Sequence, residues 1–328
     1  MRRSGFALVL AALVPAARQS APGSTHVLLI TGLSGEPRFA AAFHSEAASI
    51  YDAAKARWVR SDSSLMYLAE DPAQDPARIT GRATRDGVAT AIARLAARST
   101  PGDILLIVLI GHGSGQGPDS RLNLPGPDAT AADFATWLAP LAGRIVVLVN
   151  ASSASGDFVP VLSAKERVIV TATKSAMERN ETTFGEYFAR ALASESADAD
   201  RDGRVTLLEA FDYARREVAR GYETRNLLAT EHALLDDDGD GKGSTAPGGA
   251  QGDGAVARTV GFGITAPSTD PRVAALVLER RALEGQVDAL RRRKAGMDST
   301  AYERELERLL LEIATKSAAI RAATGQKP

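Results

Sequence analysis

Five short segments made up almost entirely of apolar residues restrict the fold of this chain more than any other feature. Strands that are apolar on both sides must be buried on both sides, and a parallel sheet with helices on each face provides that cover. Between them, apolar residues recur at spacings of three and four, which is typical of amphipathic helices. We therefore predict an α/β fold with a mostly parallel sheet covered by helices on both faces. The predicted strands are residues 26–31, 64–68, 103–110, 144–149 and 167–171, and the predicted helices are residues 39–54, 88–98, 131–141, 183–193 and 207–222.

Three of the predicted strands end in short polar tips that contain glycine. These tips are GLSGEP (residues 32–37), GHGSGQG (111–117) and NASSASG (150–156). Ligands of open α/β sheets bind beyond the carboxyl ends of the strands, and consecutive strands are usually neighbours, so we expect His112 and Ser153 to lie close together. A histidine there is a candidate general base and a serine a candidate nucleophile. The alternative is that both tips are only tight polar turns.

The motifs Gly111-His112-Gly113 and Ser152-Ser153-Ala154-Ser155-Gly156 resemble the two catalytic tips of the legumain-type and caspase-like cysteine peptidases. In that family the catalytic histidine follows one strand and the catalytic cysteine follows the next, in a pattern like Ala-Cys-x-Ser-Gly. The resemblance covers about residues 26–222. It implies a caspase/legumain-like sheet, His112 as the family histidine, Ser153 at the cysteine position and Glu178 as an acidic residue of the substrate-binding loop.

The chain contains no cysteine, which excludes thiol catalysis and disulfides. A serine hydroxyl is a weaker nucleophile than a thiolate and needs a base that a third group orients. We therefore expect a catalytically inactive peptidase-like domain that binds a peptide or protein. Two alternatives stay open: an active hydrolase with Ser153 as nucleophile and His112 as base, and a calcium-stabilised structural protein.

Residues 198–209 match the calcium-binding loop of EF-hands. Acidic side chains stand at the first, third, fifth and twelfth positions, with Gly203 at the sixth, where the loop bends sharply. Oxygen atoms at alternating positions converge on one ion, so we predict a Ca²⁺ site; the alternative is an acidic loop without an ion. The predicted ligands are Asp198, Asp200, Asp202, Glu209 and the backbone carbonyl of Arg204.

A second acidic stretch repeats half of this pattern at Asp236, Asp238 and Asp240. Its twelfth position is Pro247, whose side chain has no oxygen, so we expect a weaker, irregular site or an acidic turn in solvent. His232 stands just before it, and we interpret that histidine as a surface residue.

The N-terminal segment, residues 1–21, has the pattern of a secretory signal peptide. Two arginines precede an apolar run that is too short to span a bilayer comfortably, and a short buried helix is the alternative. We expect an exported protein, periplasmic or extracellular, with no integral membrane segment after removal of the signal. The formal net charge of −1, with acids and bases mixed along the chain, argues against nucleic acid as an obligatory partner.

The C-terminal quarter differs in composition from the predicted sheet domain at residues 24–242. Residues 243–271 are rich in Gly, Ala, Pro and Ser and are predicted as a linker, within which residues 255–263 could add a strand. Residues 272–324 carry apolar residues every seven positions on both sides of Gly296, with a capping box at Thr300 and Glu303. We predict an antiparallel helical hairpin that folds on itself, docks on the sheet domain or self-associates as a coiled coil.

Overall fold

The computed structural model describes residues 23–248, 252–263 and 270–324. The predicted signal segment, residues 1–21, lies outside the described residues. Within the described ranges no helix is long and apolar enough to cross a membrane.

Twelve strands and eight α-helices make up the described part of the chain. The strands are β1 (Thr25–Thr31), β2 (Leu65–Ala69), β3 (Gly81–Arg82), β4 (Ile104–Ile110), β5 (Gly113–Ser114), β6 (Arg121–Leu122), β7 (Ala129–Thr130), β8 (Ile145–Asn150), β9 (Arg167–Thr171), β10 (Arg204–Thr206), β11 (Leu234–Asp236) and β12 (Gly261–Gly263). The helices are α1 (Pro37–Arg57), α2 (Arg85–Arg98), α3 (Ala131–Leu138), α4 (Phe158–Leu162), α5 (Phe184–Ala193), α6 (Leu207–Thr224), α7 (Pro271–Arg293) and α8 (Ser299–Thr324). The five predicted strands and five predicted helices of the sheet domain are all present, with bounds that differ by no more than three residues.

A seven-stranded sheet in the order β11-β9-β8-β4-β1-β2-β3 forms the centre of the fold. All neighbouring strands are parallel except β11, which runs antiparallel to β9 at one edge. Side chains of β1 alternate between two cores: Val27 and Leu29 pack with α1, α5 and α6, and Leu28 and Ile30 pack with α2, α3 and α4. The prediction of a mostly parallel sheet covered on both faces is confirmed.

Helix α3 is shorter than its apolar pattern predicted. It begins with a capping box between Thr130 and Asp133 and ends at Leu138, after which residues 139–141 form a 3₁₀ turn. Pro140 has no backbone N–H to donate to the helix, and its ring clashes with the preceding turn, so the α-helical hydrogen bonds stop before it.

Residues 252–263 differ from the predicted linker because they are packed against the sheet domain. Ala257, Val260 and Phe262 are buried in the core that contains α1, α5 and α6. The Trp58 ring lies 4.8 Å from that of Phe262, and Trp58 Nε1 donates a hydrogen bond to the Gly263 carbonyl. A strand forms only at Gly261–Gly263, where β12 pairs with β10, and not over all of residues 255–263.

The two C-terminal helices, α7 and α8, pack against each other in antiparallel directions. Leu283 and Leu290 of α7 are buried with Leu309 of α8, and Lys316 pairs with Glu279 at the far end from the turn. Helix α8 begins at Ser299, and Asp298 accepts the Ala301 N–H. The predicted cap at Thr300 is therefore wrong by two residues.

Candidate functional site

The three glycine-containing tips meet at the carboxyl edge of the sheet, which we call the rim (residues 32–37, 111–117 and 150–156). Leu109 of β4 pairs in register with Asn150 of β8, so His112 and Ser153 each stand three residues beyond a paired position. Both line one small pocket. Its other lining residues are Phe39, Ala42, Phe43, Glu46, Gly111, Glu181 and Thr182. The expectation that the histidine and serine tips lie close together is confirmed.

The tips approach so closely that glycine is required at position 113. A Cβ atom on Gly113 would lie 2.2 Å from the carbonyl oxygen of Ser153. On the serine tip, Ala154 has a φ of 51°, a left-handed conformation that costs a non-glycine residue about 1 kcal/mol. The Ala154 N–H donates to the Glu178 carbonyl at 2.8 Å, which holds this conformation. Strained backbone of this kind concentrates at functional sites.

The hydroxyl of Ser153 is hydrogen-bonded to backbone rather than to the histidine ring. Ser153 Oγ accepts the Gly113 N–H at 3.2 Å and donates to the Gly113 carbonyl at 3.4 Å. The residue is only 5% exposed. Its oxygen is therefore held by the opposite tip, and its proton is directed to a carbonyl that cannot act as a base.

The imidazole of His112 sits among aromatic rings. Its centroid lies 4.5 Å from that of Phe39 and 5.2 Å from that of Phe43, both edge-on. Across the described ranges, no carboxylate is hydrogen-bonded to this ring. The nearest acid along the serine tip is Asp157, whose carboxylate accepts the N–H groups of Gly117 and Ala176. The third group that orients the base in a serine–histidine hydrolase is therefore missing from this arrangement.

Glu46 of α1 also lines the pocket, and sequence reasoning missed it. Burial, and after it the nearby carboxylates of Glu186, Glu181 and Glu231, together raise its pKa to about 8. At neutral pH it is therefore mostly an uncharged carboxylic acid beside His112. The signal was present in the sequence, because Glu46 interrupts the apolar stripe of the first helix at helical spacing from Phe43.

Glu178 makes internal contacts that leave little of its carboxylate for a substrate. Glu178 Oε1 lies 2.5 Å from Nδ1 of His232, and Oε2 accepts the backbone N–H groups of Lys174 and His232. The Glu178 side chain is 11% exposed. His232, which we interpreted as a surface residue, has a side chain that is 40% exposed, and it connects Glu178 to the segment that leads into β11.

The first acidic loop (residues 198–209) brings three carboxylates together. Asp198, Asp200 and Asp202 each offer an oxygen within 4.8 Å of the others. Ca²⁺ binds oxygens at about 2.3–2.6 Å, so atoms at this separation can share one ion. Gly203 has a φ of 83°, as the bend of such a loop requires. Burial raises the pKa of Asp198 to about 6 and also raises those of Asp200 and Asp202.

Two further charged residues belong to the surroundings of these carboxylates: Glu209, the last residue of the loop, and Arg280 of α7. Glu209 Oε1 accepts the Ala199 N–H, while Oε2 accepts the Thr206 N–H in the capping box that begins α6. Glu209 thus stands at the closing position of the loop while also capping a helix. From α7, the Arg280 guanidinium approaches to 3.4 Å from Asp202, and Arg280 is 4% exposed. Helix α7 therefore contacts the sheet domain at the loop.

The second acidic loop (residues 236–242) also brings carboxylates together. Asp236, Asp238 and Asp240 each offer an oxygen within 4.8 Å of the others. Asp238 and Asp240 are exposed, but Asp236 belongs to β11 and is 1% exposed. The loop is therefore anchored in the sheet rather than being a turn wholly in solvent.

No protein-family description matches this chain, and no curated protein matches its sequence. Its function is therefore argued from the geometry of the rim and of the two acidic loops.

Proposed function

We propose that the rim binds an extended peptide or protein segment without cleaving it, in an exported, calcium-stabilised protein with a caspase/legumain-like fold. The observation that carries the proposal is the pair of hydrogen bonds between Ser153 Oγ and Gly113. A nucleophilic serine needs its proton directed at a base, and here that proton is directed at a carbonyl. The described residues form a pocket, but they do not include the hydrogen-bonded base and orienting acid that serine catalysis requires.

The lining of the pocket supports recognition of a peptide. Phe39 and Phe43 offer apolar and aromatic surface around His112, whose ring nitrogens form no hydrogen bond with the described residues. Glu46, with its raised pKa, offers a neutral donor and acceptor for an amide. A mostly apolar pocket with a few polar groups is the usual form of a ligand site.

An active serine–histidine hydrolase is the second candidate, and the shared pocket of His112 and Ser153 favours it. A peptide library separates the two candidates if binding and cleavage are both measured, together with labelling by a serine-reactive phosphonate. We expect binding, no turnover and no labelling. His112→Ala should weaken binding, whereas Ser153→Ala and the distant control Ser63→Ala should leave it unchanged.

Turnover that disappears in both His112→Ala and Ser153→Ala, with phosphonate attached to Ser153, would replace the binding proposal by the hydrolase. Ser153→Cys is the complementary variant, because a thiolate forms far more readily than an alkoxide beside a histidine. Weak peptidase activity in Ser153→Cys alone would support a binding site derived from a cysteine peptidase.

For the first acidic loop, we propose one bound Ca²⁺ with a mainly structural role. The convergent oxygens of Asp198, Asp200 and Asp202 support it, and a divalent cation would offset the repulsion between them. Glu209 and the carbonyl of Arg204 would complete the protein ligands. Because β10 lies within the loop and pairs with β12, an ion here would stabilise the packing of residues 252–263.

Self-association through residues 272–324 remains a proposal. Leu278 of α7 and Leu310 and Leu311 of α8 are each about half exposed, which supports an apolar contact between chains. Sedimentation of the full chain against a Leu310→Lys, Leu311→Lys variant tests it. A shift from dimer to monomer is expected, and identical monomeric behaviour of both proteins would refute it.

A further inference from the structure

Asp236 is a buried carboxylate with an unsatisfied oxygen. The residue is 1% exposed, and its Oδ2 has no hydrogen-bond partner among the described residues. A charged group without a partner is costly to bury, so natural proteins pair such groups with a donor or a cation. The same carboxylate belongs to the cluster with Asp238 and Asp240, whose oxygens lie within 4.8 Å of one another. The unsatisfied oxygen thus belongs to a group that is already placed for sharing an ion.

The two acidic loops share several features of their local conformation. Their fourth positions, Arg201 and Gly239, have φ values of 56° and 83°, and their sixth positions, Gly203 and Gly241, have values of 83° and 76°. In both loops the fifth-position N–H donates to the third-position carboxylate. In both, the seventh-position N–H donates to the fifth-position carboxylate at 2.7 Å. The second loop therefore has these features of the first although its twelfth position is a proline.

A single segment, residues 253–263, joins the two loops. The Asp237 carboxylate lies outside the cluster and accepts the N–H groups of Gly254, Val256 and Ala257, each at 2.8 Å. The same segment ends in β12, which pairs with β10 of the first loop. Backbone N–H groups of Leu207 and Leu208 also donate to the carbonyls of Val260 and Ala257. Hydrogen-bonded backbone thus connects the two loops.

We propose that Asp236, Asp238 and Asp240 hold a second divalent cation, and that residues 253–263 couple this site to the first acidic loop. Three carboxylate oxygens without histidine or cysteine favour Ca²⁺ over Zn²⁺ or copper. Because no glutamate closes the loop, water completes the coordination shell, and the second site binds more weakly than the first. The second site stands on its own observations, whereas the coupling rests on the calcium site proposed at residues 198–209.

The experiment uses the full chain after removal of metal by chelation, with Ca²⁺ as the only probe. Native mass spectrometry counts bound ions and calorimetric titration gives their affinities. Asp238→Asn and Asp240→Asn remove exposed ligands of the second loop and leave the core untouched, and Glu209→Gln disables the first. Asp62→Asn, which changes an exposed aspartate paired with Lys55, is the matched control.

We expect two ions in the wild type and in Asp62→Asn, and one ion in Asp238→Asn, Asp240→Asn and Glu209→Gln. The coupling predicts that Asp238→Asn weakens binding at the first loop by about fivefold or more, and that Glu209→Gln weakens the second by the same factor, since coupling between sites is reciprocal.

A single ion that is lost in Glu209→Gln but kept in Asp238→Asn and Asp240→Asn would overturn the second site while the first stands. A single ion lost only in Asp238→Asn and Asp240→Asn would sustain the second site and refute the first. Two ions whose affinities do not respond to each other's variants would overturn the coupling.

Discussion

Replacing Glu46 by glutamine should stabilise the protein at neutral and alkaline pH. Glu46 lies in the rim pocket, and burial, together with three neighbouring glutamates, raises its pKa from 4.5 to about 8. Between these two pH values the folded protein keeps a proton on Glu46 that the unfolded chain releases. Wild-type stability therefore falls as the pH rises from about 4.5 to about 8, and the loss is complete above that value.

The size of the effect follows from the same shift. Each pH unit corresponds to about 1.4 kcal/mol, so a rise from 4.5 to about 8 sets a limit near 5 kcal/mol above pH 8. Glu46 keeps partial contact with solvent, which reduces this destabilisation by screening. We therefore expect Glu46→Gln to raise the free energy of unfolding by about 2–3 kcal/mol at pH 7 and above. Below pH 4.5 both proteins carry a neutral side chain there, and their stabilities should agree.

Urea unfolding at a series of pH values from about 5 to about 9 measures this difference. Glu223→Gln, which changes an exposed glutamate at the end of α6, is the control and should show no pH-dependent gain. If the Glu46→Gln and wild-type curves run parallel over the whole range, Glu46 is ionised in the folded protein. The Glu46 carboxylate would then be charged at neutral pH, and burial would not have raised its pKa.

Three further predictions concern the first acidic loop, the rim and the C-terminal helices. Added Ca²⁺ should raise the thermal midpoint and chelator should lower it, and the free energy of unfolding should gain about 2.7 kcal/mol at a free Ca²⁺ concentration of a hundred times the dissociation constant. Glu209→Gln should reduce this response more than Asp236→Asn. A thermal midpoint that responds to neither treatment would contradict a calcium site in the first acidic loop. Gly113→Ala should destabilise the protein by about 2 kcal/mol in urea unfolding, because its Cβ would lie 2.2 Å from the Ser153 carbonyl oxygen. Gly285→Ala in α7 should be neutral or stabilising, because among the described residues an added Cβ there meets no atom of another element within 4 Å. Equal stability of both variants would refute the close approach of the two tips. Truncation after Asp270 should leave the sheet domain folded and soluble, because residues 252–263 remain. Its far-ultraviolet circular dichroism should be reduced by the contribution of two helices. An insoluble or molten product would show that α7 and α8 are part of the core.

The central sheet could be predicted because its strands are buried on both faces. Such strands must be apolar at every position, so β4 and β8 are visible in the sequence without knowledge of their neighbours. The proximity of His112 and Ser153 followed from the same pattern, since adjacent parallel strands end at the same edge. Residues 252–263 were not predictable in this way. Their burial depends on hydrogen bonds to Asp237 and pairing with β10, both of which are tertiary contacts.

The chemistry of the rim could be predicted only in part. The residue types and their order are in the sequence, but the partner of the Ser153 hydroxyl is a backbone group on another strand tip. The raised pKa of Glu46 depends first on its burial and then on Glu186, Glu181 and Glu231, all of which lie far from it in the chain. A sequence pattern locates side chains on faces and edges, whereas electrostatic neighbours are set by how those faces pack.

The antiparallel edge strand β11 links the rim to the second acidic loop. Just before it, Glu231 accepts the N–H groups of Thr183 and Phe184 and so holds the start of α5, next to Glu46. His232 pairs with Glu178, whose carbonyl holds the strained Ala154 of the serine tip. The strand ends in Asp236, which begins the second loop. An ion that fixed Asp236 would therefore restrain the contacts of Glu231 with α5 and of His232 with Glu178. The three residues of β11 that separate them from the loop are paired with β9 and have little freedom to move.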